Sequence, residues 1–170
     1  MTPTSRPLRP ILWVGGPMML CIVGTLSFAL PLRVATSQLP EPVFGLVPAF
    51  AWAVIRPSVA PPLALLVLGL FQDLLWGTPL GLWALCLLGL HAVILLARAS
   101  LSGQSFWVLW GWYGIGCALA FGIGAAFETM AAGTVPNLLG VVAQWLVSAA
   151  LYPLANLLID RYEDADVRFR

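Results

Sequence analysis

A chain of 170 residues that is 61% hydrophobic and 9% charged lies far from the roughly 25% charged content of a soluble globular domain. Its formal net charge of +1, with eight scattered arginines and no lysine, offers no extended basic surface, which sets nucleic acid aside as a partner. The composition predicts an all-α, polytopic integral membrane protein.

Six apolar segments are marked off by Arg, Pro and Gly clusters, at about 11–32, 42–55, 61–80, 81–97, 105–128 and 137–159. They form a single membrane domain over 1–170, with no water-soluble domain to carry independent chemistry. The first segment follows Arg6 and Arg9 and holds 22 residues without a charge. That is longer than the apolar region of a signal peptide and close to the roughly 20 residues needed to span, so it is expected to stay attached as a helix.

The second segment is short. Its 14 residues rise only about 21 Å as a helix, and Pro48 lies in its interior, so a tilted span, a broken helix and a re-entrant piece all remain open. Between the third and fourth segments no charge intervenes, and Gly77, Thr78 and Pro79 supply the turn. In the fifth, Gly114, Ala118, Gly122 and Ala126 recur every four residues, and Gly116, Ala120 and Gly124 form a second row. Such stripes let helix backbones approach closely, within the chain or against a helix of another protein. Trp107, Trp110 and Trp112 at its start, and Trp76 at the end of the third, read as interfacial anchors.

Six spans with a cytoplasmic amino terminus place Arg6, Arg9, Arg56, Arg98, Arg161, Arg168 and Arg170 inside and leave Arg33 alone outside. This satisfies the positive-inside rule, with both termini cytoplasmic. The same topology collects Arg33, Glu41, Asp73 and Glu128 toward the outer side as a candidate polar cluster.

Asp73 is the residue that most needs explaining, because a carboxylate within a span costs roughly 2.5–3.5 kcal/mol on insertion scales. It falls near the carboxyl end of its helix, where the helix dipole disfavours negative charge, so capping does not account for it. Two roles remain. One is a lock on the turn between the third and fourth helices, hydrogen-bonded to loop amides, Gln72, Thr78 or Arg33; the other is a ligand, ion or partner site.

His91 falls about 16 Å along the fourth helix, and with Gln144 and Asn156 it reads as polar glue between helices. Cys21, Cys86 and Cys117 lack metal-ligand spacing and read as small buried apolar residues. No paired carboxylates, nucleophile elbow, metal-ligand cluster or phosphate loop can be assembled, so neither catalysis nor a cofactor is expected.

The stretch from Gly69 to Leu82, with Asp73, Gly77 and Gly81, resembles the signature segment of the MreD family, small membrane subunits of the bacterial rod-shape (elongation) complex. The ending Leu151-Tyr152-Pro153-Leu154-Ala155-Asn156-Leu157-Leu158-Ile159-Asp160-Arg161 and the six-span frame extend the resemblance over essentially the whole chain. It implies a non-enzymatic scaffold in the inner membrane that binds MreC. Through it the chain would support peptidoglycan synthesis by RodA and a class B penicillin-binding protein, linked to MreB filaments. It also implies a fold similar to the substrate-binding subunits of energy-coupling-factor transporters, and from that fold comes an alternative function, capture of a vitamin-like small molecule.

Overall fold

The computed structural model describes residues 10–29, 41–55, 58–101, 103–133 and 137–167. Their regular structure is all α-helical, with no strand among them, in seven elements: α1 (Pro10–Ala29), α2 (Leu46–Ile55), α3 (Ala60–Trp76), α4 (Leu82–Leu101), α5 (Phe106–Ala132), α6 (Leu138–Ala149) and α7 (Tyr152–Val167). The last two run on from one another across Ala150 and Leu151, so the described residues form six rods. Three stretches, Leu82–Leu101, Phe106–Ala131 and Leu138–Arg161, are long and apolar enough to cross a membrane.

The second predicted segment resolves into something shorter than a span. Residues 41–45 are not helical, and α2 has ten residues, about 15 Å. Its first turn is closed by Leu46 N–H to Val43 O (3.2 Å) and Val47 N–H to Phe44 O (3.1 Å). Pro48 thereby falls where its missing N–H is not needed. All ten residues are buried, because α2 lies inside the bundle against α3, α4, α5 and α7.

Side-chain contacts give the directions of the rods. Gly45 lies beside Leu87, Ala49 beside His91 and Val54 beside Arg98, so α2 and α4 run parallel. Cys86 Sγ meets the Ala120 carbonyl and Leu90 faces Gly116, while Trp145 Nε1 donates to Gly114 O and Trp110 Nε1 to Ala149 O, so α4, α5 and α6 alternate. The core is Phe50, Tyr113 and Tyr152, whose rings stand 5.3 to 6.2 Å apart where α2, α5 and α7 meet, extended by Trp52, Leu65, Leu68, Leu87 and Ile94.

Several boundaries move from their predicted places. α3 stops at Trp76 because Gly77 turns left-handed (φ 67°) and returns its N–H to Asp73 O. α4 runs past Arg98 to Leu101, and α5 continues to Ala132 before the left-handed Gly133. The sixth predicted segment breaks because Pro153 cannot donate to Ala149 O. Trp110 Nε1 takes that carbonyl at 3.1 Å and Tyr113 OH takes Ser148 O at 3.1 Å, so the break leaves both satisfied. Residues 30–33, Arg6, Arg9, Arg56, Arg168 and Arg170 lie outside the described residues.

Candidate functional site

Asp73 sits on the last turn of α3 and is 1% exposed. Its carboxylate accepts three hydrogen bonds: from Thr78 Oγ1 to Oδ1 (2.8 Å), from Trp83 N–H to Oδ1 (3.0 Å) and from Gly81 N–H to Oδ2 (2.8 Å). Gly81 immediately precedes α4 and Trp83 is its second residue, so the acid caps the N-terminus of the next helix. The expectation that capping plays no part therefore fails. The dipole of its own helix opposes the charge, but the unpaired N–H groups of α4 favour it.

The glycines of the motif make this capping possible. Gly81 adopts φ 98°, a conformation that turns its N–H onto the carboxylate and that L side chains rarely reach. Gly69, one turn before Asp73 on the same face of α3, faces the backbone of Ala84 and Trp83 with no side chain between. Close approach at Gly69 brings the start of α4 within reach of Asp73. The two residues act on one joint.

With three neutral donors bound, the Asp73 carboxylate has one lone-pair direction left of about four. The arrangement orders a hairpin and is poorly suited to proton transfer or metal ligation. Among the described residues no group of three His, Cys, Asp or Glu side chains comes together. Of the other acids in the candidate polar cluster, Glu41 is half-buried ahead of α2 and Glu128 is exposed near the end of α5. Arg33 lies outside the described residues. No hydrogen bond or ion pair joins Glu41, Asp73 and Glu128.

The two small-residue rows of α5 part company. Gly116 and Ala120 are buried, and an added Cβ on Gly116 would strike Leu90 of α4. Ala118, Gly122 and Ala126 are exposed, and nothing lies within 4 Å of an added Cβ at Gly114 or Gly122. His91 bonds between helices through Nδ1 to Ala49 O at 3.0 Å. Asn156 instead pairs along its own helix, with Asp160 Oδ2 (2.8 Å) and Tyr152 OH (3.4 Å), so it is not glue between rods. The cysteines are free and buried, Cys21 Sγ and Cys86 Sγ each 3.4 Å from a carbonyl.

Arg98 has a role that its reading as an inside-facing charge does not contain. Its Nε donates to Val54 O (2.9 Å) and its Nη2 to Ile55 O (3.0 Å), satisfying carbonyls that the short α2 leaves without helical partners. Those partners are 43 and 44 residues away in sequence. Arg98→Met, which keeps the stem but removes the donors, is expected to destabilise the protein by about 1–3 kcal/mol. Thermal unfolding in detergent checks this, and Arg98→Lys should recover part of the loss.

No protein-family model, curated protein or solved structure matches the chain.

Proposed function

We propose that this chain is a non-enzymatic scaffold subunit of a bacterial rod/elongation complex, seated in the cytoplasmic membrane by six spans with both termini inside. Its direct partner would be an MreC-like membrane protein, and through it the peptidoglycan synthases. The resemblance of Gly69–Leu82 and of the Leu151–Arg161 ending supports the family. The six rods support the frame, with Arg98 and Arg161 at the end opposite the α3–α4 hairpin and Glu41 and Glu128 near the hairpin end.

One observation carries the scaffold reading: of the two small-residue rows on α5, Gly116 and Ala120 pack inside the chain while Ala118, Gly122 and Ala126 face outward. Ala118, Gly122 and Ala126 lie among exposed Ile115, Leu119 and Ile123, a shallow apolar groove of the kind that seats a membrane helix. A bulky residue there would hold a partner helix off without touching this chain's own packing.

Ala118→Leu is therefore expected to leave the Tm of the purified subunit unchanged while reducing recovery of the MreC-like partner from native membranes about tenfold, the equivalent of about 1.4 kcal/mol. Full recovery with the leucine in place would remove the groove from the interface. Purification of the natural chain with a stoichiometric small molecule and no such partner would overturn the scaffold role in favour of small-molecule capture.

A further inference from the structure

The N-terminus of α2 lies inside the bundle. Gly45, just before it, lies beside Leu87, five residues into α4, so α2 begins about 8 Å in from the hairpin end. From α3, Gln72 reaches this point: its Nε2 and Oε1 come within 3.1 and 3.2 Å of where a side-chain carbon on Gly45 would stand. Gln72 is 0% exposed, and neither amide atom has a hydrogen-bond partner among the described residues.

A carboxamide carries two N–H donors and an oxygen with two lone pairs. Buried among apolar groups without partners, it is far less favourable than an apolar side chain of the same shape. The helix end beside it is nearly, but not fully, accounted for. Val43 N–H goes to Ser148 Oγ at 3.0 Å, Leu46 and Val47 close the first turn, and Pro48 has no N–H. Neither the Phe44 N–H nor the Gly45 N–H finds an acceptor among the described residues, and it is Gly45 that the Gln72 amide approaches.

The occupant such a site would take is neutral and both donates and accepts. An anion would lie near the Asp73 carboxylate, one residue along α3. A metal ion finds no group of three acidic, His or Cys side chains. We propose that Gln72 and the α2 N-terminus form an internal water site, in which one buried water bridges the Gln72 amide and the Gly45 N–H. Buried waters in proteins make about three such bonds to groups otherwise unpaired. The water links α2 to α3, between which no side-chain hydrogen bond runs among the described residues, and the site is independent of the scaffold role.

Gln72→Met keeps the length of the side chain and removes its hydrogen bonding. With the water in place it lowers the Tm by about 3 °C, because the water loses its side-chain partners. An unchanged or raised Tm overturns the site, since deleting an amide that had no partner removes a penalty. Because a poor fit of methionine against Gly45 also lowers the Tm, a second measurement uses the unsubstituted protein. Under X-ray hydroxyl-radical labelling, Leu87 beside the site should oxidise several-fold faster than Leu65, which is equally buried two turns away on α3. Equal rates at the two leucines overturn the proposal whatever the methionine variant does.

Discussion

Asp73→Asn is expected to destabilise the protein by about 2–3 kcal/mol, a fall in Tm of about 4–12 °C for a chain of this size. Asparagine has the shape of aspartate but replaces one acceptor oxygen with a donor. If its NH2 faces Gly81, that N–H loses its partner and meets another donor. If it faces the other way, Trp83 N–H does, and the Thr78 hydroxyl must turn to accept from the NH2. Either orientation forfeits one charge-assisted bond from a backbone N–H and weakens the others. Thr78→Val removes only the hydroxyl contact and should cost about 1 kcal/mol.

The loss should also be local. Hydrogen exchange at the peptide spanning Gly81 and Trp83 is expected to quicken by about 30-fold or more in Asp73→Asn, while the α2 core around Phe50 keeps its protection. Were the carboxylate mainly a ligand or partner group, neither Tm nor exchange in the isolated subunit would change, and the hairpin lock would have to be given up.

How much of this was readable before the structure depends on how far each partner lies along the chain. The hairpin was legible because its parts are local: Gly77, Thr78 and Pro79 mark the turn, and Thr78 and the loop amides are near Asp73 in sequence. The capping role was missed because the rule was applied to the helix that contains Asp73 and not to the one that follows. Arg98 reads from the sequence only as an inside-facing charge because nothing near it shows that α2 ends in open carbonyls. The two rows of α5 have the same composition and spacing, so only packing against α4 tells them apart. The break after Ala149 had a local cause in Pro153. Yet its repair by Trp110 and Tyr113, from a different helix, is a tertiary fact that no window on the sixth segment contains.

Gly69→Ala offers a test in which the sign alone decides. In an exposed helix interior, glycine to alanine is stabilising by roughly 0.5–1 kcal/mol, since alanine has less backbone freedom to lose. At Gly69 the added carbon would fall on the Cα and amide nitrogen of Ala84 and lie 2.9 Å from the carbonyl carbon of Trp83. All three atoms are backbone, so no rotamer change can make room and α4 must move away. Overpacking of this kind costs about 1–3 kcal/mol. The displacement should cost more here, because the same turn of α4 carries the Trp83 N–H that Asp73 accepts at 3.0 Å. A net loss of about 2–4 kcal/mol is expected by thermal unfolding. Gly116→Ala makes a graded control, since it meets only the flexible tip of Leu90, and Gly122→Ala, with nothing within 4 Å, should be neutral or slightly stabilising. Because Gly69 and Asp73 serve one joint, Gly69→Ala combined with Asp73→Asn should lose clearly less than the sum of the two single changes. Strict additivity, or a Gly69→Ala variant as stable as Gly122→Ala, would show that close approach of α3 and α4 is not what brings the first turn of α4 to the buried carboxylate.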